Sequence, residues 1–165
     1  MFYYRITKYN PTFRDKDGTY HKKEWTSYSD IGRVYEKQLF TLESYLKTEA
    51  AYCSAIIDFM NCLDLTQLRV RSLEMVDFNK NSDAYSDKVK NLLNENSTIE
   101  RDALLLIVPL VLREIVWFKL ESKEMFVHFG YDYYMYIGSK SACEAAVDTV
   151  RESGLFVESY ESPYL

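Results

Sequence analysis

Three strand-like runs separated by two short turns constrain the fold of this chain more than any other feature. Ile115 to Glu121, Met125 to Phe129 and Tyr133 to Gly138 are rich in aromatic and β-branched residues, which favour strands. The turns at Ser122-Lys123 and Gly130–Asp132 are too short for a parallel crossover. The sequence therefore predicts an antiparallel meander in the C-terminal half.

Helical segments are predicted on both sides of this meander. They cover residues 41–63, the stretch between polar loops at 79–82 and 94–97, residues 97–112, and residues 141–153. Thr41 is typical of an N-cap, and Ser97 stands at capping-box spacing from Glu100. Further strands are predicted at 2–9, 68–75 and 155–160. Clustered strands of this kind indicate an α+β fold, a single domain over 1–165 with a mainly antiparallel sheet packed by three to four helices.

Charge is unevenly distributed along the chain. The net charge is −5, but residues 1–40 hold eight basic and five acidic residues, whereas residues 41–165 hold twelve and twenty. A negative surface repels phosphate backbones and attracts basic proteins. We therefore expect a basic protein partner and no nucleic-acid partner, although solubility alone also explains a charge of this size.

The cysteines and the apolar runs bear on the compartment. Cys53, Cys62 and Cys143 are odd in number, and none forms a Cys-x-x-Cys pair. Cys53 and Cys143 fall on apolar helix faces, where free cysteine behaves as a small hydrophobic residue. No stretch fits a signal peptide, and the longest apolar run, Ala103 to Leu112, has ten residues. We therefore expect a cytoplasmic protein with reduced cysteines and no membrane partner.

No motif for a cofactor, a metal or catalysis is legible. The five glycines form no phosphate-binding loop, and no serine lies in a Gly-x-Ser-x-Gly elbow. Residues 13–24 have partial calcium-loop spacing, but Phe13 stands where the ion needs a carboxylate. His21 and His128 lack partners at zinc-ligand spacing. We predict no catalytic residue, no metal and no cofactor, which favours a binding protein over an enzyme.

The predicted strand register separates two faces of the sheet. A two-residue turn at Ser122-Lys123 pairs Leu120 with Met125 on an apolar face, and a three-residue turn at Gly130–Asp132 adds the third strand. The second face then carries large amphipathic side chains: Trp117, Lys119, Phe126, His128, Tyr134 and Tyr136. Such side chains are typical of binding hot spots. The alternative is that a helix covers this face.

Acidic residues of the C-terminal third form a second candidate surface. Glu144, Asp148 and Glu152 are spaced four apart on the polar face of the last predicted helix, and Asp132 lies in a turn. Such a stripe can steer a basic partner, although a solvated helix face is its ordinary explanation. The predicted partner-binding residues are therefore Trp117, Lys119, His128, Asp132, Tyr134, Tyr136, Glu144, Asp148 and Glu152.

Two stretches of the chain resemble a known group of proteins. The first is YRITKYNP at 4–11, followed by EWTS at 24–27 and SDIG at 29–32; the second is HFGYDYYMYIG at 128–138, followed by SGLFVE at 153–158 and SPY at 162–164. This pattern is similar to small bacterial immunity proteins of polymorphic and contact-dependent growth-inhibition toxin systems. The resemblance leaves out residues 64–112 and carries no catalytic residue.

The resemblance implies a non-catalytic inhibitor of a cognate bacterial toxin. Such a protein would bind the toxin's C-terminal domain, which we expect to be a basic nuclease, and occlude its active site with acidic side chains in place of phosphates. One alternative is a small-ligand-binding or regulatory domain with an aromatic pocket. The other is a transferase-like enzyme without a legible motif. The sequence leaves the oligomeric state open.

Overall fold

The strand-like runs of the sequence form the centre of a larger sheet. The computed structural model describes residues 1–75 and 87–165. The strands of these residues are β1 (Phe2–Thr7), β2 (Val34–Tyr35), β3 (Gln38–Leu39), β4 (Gln67–Met75), β5 (Thr98–Glu100), β6 (Val116–Glu121), β7 (Met125–Phe129), β8 (Met135–Ser139) and β9 (Phe156–Ser159). The α-helices are α1 (Leu42–Cys62), α2 (Asp87–Leu92), α3 (Leu104–Leu112) and α4 (Glu144–Glu152).

Seven of the strands form one antiparallel sheet. Their order is β5-β4-β6-β7-β8-β1-β9, and every neighbouring pair is antiparallel. The short strands β2 and β3 pair separately. The predicted α+β class and the C-terminal meander of β6, β7 and β8 are therefore confirmed. The predicted loop at 79–82 lies outside the described residues.

One side of the sheet is closed by helices. The Thr41 hydroxyl accepts a hydrogen bond from the backbone N–H of Ser44 at 3.2 Å, which caps α1 as predicted. The α1 helix packs against α3 and α4. Its apolar face, including Tyr52 and Phe59, belongs to the same buried cluster as Leu120 of β6 and Val127 of β7. The main core thus lies between these helices and one face of the sheet.

The helix predicted to begin at Ser97 is absent at that position. Residues 98–100 instead form β5, in which Ile99 pairs with Leu68 of β4 and is fully buried. The Ser97 hydroxyl accepts a hydrogen bond from the backbone N–H of Asn94, and a 3₁₀ turn at Arg101–Ala103 precedes α3. Pairing with β4 therefore overrides the local capping signal.

The predicted register of the meander is wrong by two residues in both hairpins. Leu120 pairs with Val127 rather than Met125, and Val127 pairs with Ile137. The first turn lies one residue later than predicted, because the Ser122 hydroxyl accepts hydrogen bonds from the N–H groups of Glu124 and Met125. An even shift leaves every side chain on its predicted face.

The second hairpin turn is built on left-handed residues that are not glycines. The N–H of Gly130 donates to the carbonyl of Tyr134 at 2.7 Å, and Asp132 and Tyr133 have φ angles of 53° and 63°. A Cβ at Gly130 would lie 3.2 Å from the Tyr164 hydroxyl. Glycine there permits a close approach of the C-terminal segment rather than the turn itself.

The prediction of reduced cysteines is wrong for two of the three. Cys62 and Cys143 form a disulfide with Cα atoms 5.8 Å apart, which joins the end of α1 to the residue before α4. The two residues are 81 positions apart, so spacing along the chain gave no signal. Cys53 is free and buried as predicted. Among the described helices, none is long and apolar enough to cross a membrane.

Candidate partner-binding site

A row of charged and aromatic side chains crosses the sheet on the side away from α1, α3 and α4. Strand register aligns five of them across β6, β7, β8, β1 and β9: Lys119, His128, Tyr136, Arg5 and Glu158. Alternation along β6 and β7 puts Trp117 and Phe126 on the same side. These seven residues define the outer face. The predicted common side of Trp117, Lys119, His128 and Tyr136 is confirmed.

The outer face is covered by the last six residues, 160–165, which we call the C-terminal segment. The Ser162 hydroxyl lies 2.8 Å from Nδ1 of His128, and the Lys119 ammonium donates to the backbone carbonyl of Tyr164 at 2.7 Å. The Tyr164 ring packs edge-on against Trp117 and Tyr136. An extended segment, not the helix considered as the alternative, therefore buries the centre of this face.

Burial sets the protonation state of His128. Its side chain stacks on Phe126 with ring centroids 4.3 Å apart, and the residue is only 2% exposed. Desolvation, with a smaller contribution from the nearby Lys119 ammonium, lowers the pKa of His128 to about 4. The imidazole is therefore neutral at pH 7 and bonds to Ser162 as part of the cover rather than as an exposed contact.

The β1–β9 end of the outer face is closed by internal ion pairs. The Arg5 guanidinium binds Glu158 through two hydrogen bonds of 2.9 and 3.1 Å and lies over the Tyr160 ring at 4.2 Å. Arg14 lies 3.8 Å from the same carboxylate, and its guanidinium is 5.3 Å from the centre of the Tyr134 ring. Two cations thus already share one carboxylate here.

A cavity of about 710 Å³ opens where β7 turns into β8. It lies between this turn, the start of β6, the end of α3 and the C-terminal segment. Its aromatic walls are Tyr52, Trp117, Phe129, Tyr131, Tyr133, Tyr134 and Tyr164, and its acidic residues are Glu74, Glu114 and Asp132. This volume is typical of ligand-binding clefts.

The three cavity carboxylates have no basic partner among residues 1–75 and 87–165. Neither Glu74, Glu114 nor Asp132 lies within ion-pair distance of a described lysine or arginine side chain. All three residues are exposed. They come from β4, from the link between α3 and β6, and from the β7–β8 turn, so that negative charge surrounds the cavity from three elements.

The polar atoms of three aromatic side chains in the cavity walls are satisfied by the protein itself. The Trp117 indole N–H donates to the carbonyl of Phe129 at 2.8 Å. The Tyr133 hydroxyl donates to the carbonyl of Leu112 at 2.9 Å, and the Tyr52 hydroxyl donates to the carbonyl of Tyr133 at 2.5 Å. These bonds fix the three rings in place. Tyr52 and Tyr133 are buried, so the ring surface of the walls comes from Trp117, Tyr131, Tyr134 and Tyr164, while the carboxylates supply the charge.

The acidic stripe of α4 lies on a different surface. Ala146, Val147 and Val150 of this helix are buried in the core cluster on the helix side of the sheet. Glu144, Asp148 and Glu152 are exposed, and Asp148 is paired with Arg151 at 3.4 Å. The structure therefore divides the predicted partner-binding set between two sides of the sheet.

Some of the predicted partner-binding residues line the cavity together with residues that the sequence analysis did not identify. Trp117, Asp132 and Tyr134 line it, whereas Lys119, His128 and Tyr136 lie beneath the C-terminal segment. Glu74 was missed because it is far from the meander along the chain, and Glu114, which directly precedes the first predicted strand, carried no signal that marked it as a site residue. Only the tyrosine-rich run at 131–136 and Tyr164 gave a local signal for an aromatic site.

No metal centre is formed by the part of the chain that the structure describes. Within 1–75 and 87–165, no group of three histidine, cysteine or acidic side chains is placed to hold an ion. The histidine that lies closest to a carboxylate, His21, is paired with Asp15 at 2.7 Å in an exposed loop. The partial calcium-loop spacing there reflects a turn, in which the Asp15 carboxylate accepts the N–H groups of Asp17 and Thr19.

Comparisons of this chain with protein-family models, with curated proteins and with solved structures found no match. The similarity to immunity proteins therefore depends only on the sequence stretches at the two ends of the chain. No relative supplies a residue role that could be carried over. The features that bear on function are therefore the cavity, the outer face and the distribution of charge along the chain.

Proposed function

We propose that this protein is a non-catalytic inhibitor that binds a basic partner protein, in the manner of an immunity protein that neutralises a bacterial toxin domain. The observation that carries the proposal is the cavity with aromatic walls and three carboxylates that have no basic partner in the described part of the chain. Concave surfaces of this kind accept projecting segments of a partner, and aromatic side chains are frequent anchors of interfaces. The acidic balance of residues 41–165 would steer a basic partner towards it.

Inhibition by such a surface needs no chemistry. A nuclease binds phosphates with basic side chains, and carboxylates on a complementary surface can occupy those side chains and exclude the substrate. Glu74, Glu114 and Asp132 would perform this role at the cavity, while Glu144 and Asp148 on α4 would contribute through the long-range field. The same negative field disfavours binding of nucleic acid by this protein itself.

The test is neutralisation of the toxin domain encoded beside this protein. We would co-express the C-terminal domain of the neighbouring upstream gene product with this chain, and measure growth, complex formation and nuclease activity. We expect a stable complex and loss of activity. The proposal is wrong if the purified domain neither binds this protein nor loses activity in its presence.

Two matched charge reversals separate the candidate surfaces. Glu74→Lys with Glu114→Lys removes the cavity charge, and Glu144→Lys with Asp148→Lys makes the same change in net charge on α4. The cavity pair should abolish neutralisation, whereas the α4 pair should mainly lower the association rate. Circular dichroism and melting temperature would establish that both variants are folded.

The second candidate function is binding of a small cationic ligand. Its support is the cavity volume of about 710 Å³, which lies in the range of small-molecule sites. A ligand of this kind would bind the isolated protein at micromolar concentration without any partner. Thermal-shift measurements with a set of amines and amino acids would reveal it.

Under this proposal, the compartment in which the protein acts is the compartment in which its partner acts. An inhibitor of a nuclease acts where nucleic acid is present, which supports the cytoplasmic location predicted from the sequence. The Cys62–Cys143 disulfide points instead to an oxidising environment, because cytosolic reductants keep most thiols reduced. Alkylation of thiols in intact cells, followed by mass spectrometry of these two cysteines, decides between a reduced and an oxidised form.

A further inference from the structure

We propose that the cavity binds the guanidinium group of an arginine side chain. The inference deepens the proposed function, because the arginine would belong to the basic partner protein. It depends on the chemistry of the walls and on the distribution of charge around them, and these are independent of the sequence resemblance.

The charge of the cavity favours a cationic occupant over an anionic one. Glu74, Glu114 and Asp132 are contributed by three separate elements and have no lysine or arginine partner within the described ranges 1–75 and 87–165. Three carboxylates around one concave surface lower the local potential, which attracts a cation and disfavours an anion.

Among the described residues, the nearby cations of this protein form no ion pair with the cavity carboxylates. Arg5 is held by two hydrogen bonds to Glu158, and Arg14 lies 3.8 Å from the same carboxylate with its guanidinium near the Tyr134 ring. Lys119 donates to the carbonyl of Tyr164. These contacts hold the three side chains at the Tyr134 and Tyr164 walls, so the charge of the three cavity carboxylates is left for an external group.

The walls select for a planar cation. The Trp117 indole N–H is bonded to the carbonyl of Phe129, so what this residue offers a ligand is ring surface, and Tyr131 beside it is 88% exposed. A guanidinium stacks on aromatic faces and carries five N–H donors in a fixed plane, which can reach carboxylates on several sides. The lysine ammonium is a compact, strongly hydrated charge, and it interacts less favourably with aromatic ring faces. The combination therefore favours arginine over lysine.

A small probe tests this chemistry without the partner. We would titrate the protein with Nα-acetyl-L-arginine amide and follow the two tryptophan indole N–H signals by ¹⁵N NMR. Trp117 lines the cavity, whereas Trp25 lies behind the wall residue Tyr133, with ring centroids 4.9 Å apart, and stacks on Phe40. We expect a saturable shift of the Trp117 signal that is clearly larger than any shift of the Trp25 signal. The lysine and citrulline analogues should bind at least about tenfold more weakly, since one lacks the planar fork and the other lacks the charge.

Charge-neutral variants test the carboxylates. Asp132→Asn keeps a residue that tolerates the left-handed backbone found there, and Glu114→Gln keeps the side-chain shape. Each should weaken the arginine probe by roughly tenfold. Glu36→Gln is the matched control, because Glu36 is also an exposed glutamate with a left-handed φ, of 47°, but lies outside the cavity.

The outcomes separate this inference from the proposed function. It is overturned if the arginine probe produces no saturable shift at Trp117, if citrulline or lysine binds equally well, or if neither Asp132→Asn nor Glu114→Gln weakens binding. If the toxin domain binds this protein while the arginine probe does not, the proposed function stands and the inference fails. If the probe binds and the toxin domain does not, the cavity chemistry stands and the proposed partner is wrong.

Discussion

The two faces of the central sheet are closed in different ways. The helix side is covered by α1, α3 and α4, with a continuous apolar cluster, a disulfide and the buried Glu49–Arg113 ion pair. The outer face is covered by the C-terminal segment, through polar contacts to His128 and Lys119. The candidate cavity lies where the second cover ends. The cavity beside the short segment is the larger one, about 710 Å³, whereas the cavity between Tyr4 and α4 on the helix side has a volume of about 400 Å³.

The largest expected effect is on the helix side. Glu49 is 5% exposed, accepts hydrogen bonds of 2.6 and 2.8 Å from Arg113, and accepts the Tyr45 hydroxyl at 2.7 Å. The substitution Arg113→Met leaves this carboxylate buried without its cation. We expect the free energy of unfolding to fall by about 3–5 kcal/mol, measured by denaturation in urea.

A double variant is the control for this prediction. Glu49→Leu combined with Arg113→Met removes both charges and should recover much of the loss, because apolar replacement of a whole buried pair is often neutral. If Arg113→Met alone costs less than about 1 kcal/mol, the pair behaves as a solvated surface bridge. The helix side would then owe its stability to apolar packing and to the Cys62–Cys143 disulfide.

The second-largest expected effect is the loss of stability when the Cys62–Cys143 disulfide is broken. Cys62 and Cys143 close a loop with a sequence separation of 81, and a cross-link of this kind typically contributes about 2–4 kcal/mol, mainly by restricting the unfolded chain. Dithiothreitol should therefore lower the melting temperature. The substitution Cys62→Ser should lower it equally and remove the sensitivity to reductant, whereas Cys53→Ala should leave that sensitivity intact. An unchanged melting temperature in dithiothreitol would contradict this prediction.

The part of the fold that could be predicted is the part determined by local pattern. Thr41 at the start of α1 and the alternation along β6, β7 and β8 identified the elements and the two faces. The register was wrong because the Ser122 side chain and the left-handed Asp132 and Tyr133 set the turns, and neither has a strong sequence signal. At Glu100 a clear sequence signal was misleading. Its spacing from Ser97 fits a helix cap, but pairing of residues 98–100 with β4 places it in a strand.

The site was predictable only where it coincides with the meander. Trp117, Asp132 and Tyr134 were identified from that segment and line the cavity. Glu74 enters it from β4, which the tertiary fold brings beside the meander, whereas Glu114 lies in the link between α3 and β6. The pairing of Cys62 with Cys143 could not be predicted from the sequence for the same reason. Residues that meet through distant segments give no periodic signal.

The smallest expected effect is on the outer face, and it depends on pH. An unfolded histidine has a pKa of about 6.5, whereas the pKa of His128 in the folded protein is about 4. Between these values the unfolded chain binds more protons, so stability falls as pH drops from about 6.5 to 4 and loses nothing further from this group below that. We expect this contribution to be about 1–3 kcal/mol, measured as the difference in unfolding free energy between the wild type and His128→Gln.

Deletion of residues 161–165 tests whether the C-terminal segment is the cover that produces this effect. Without Ser162 and Tyr164, His128 regains water, its pKa rises towards the unfolded value, and the difference between the truncated protein and its His128→Gln version should lose its pH dependence. Lys119 and Glu121 remain near the imidazole in both proteins, so their charges cancel in the comparison. If the pH dependence survives truncation, burial by Phe126 and the sheet is sufficient. His128 would then be buried by the side chains of the outer face themselves and not by the C-terminal segment. The two faces of the sheet would differ in how their own side chains pack, and not in what covers them.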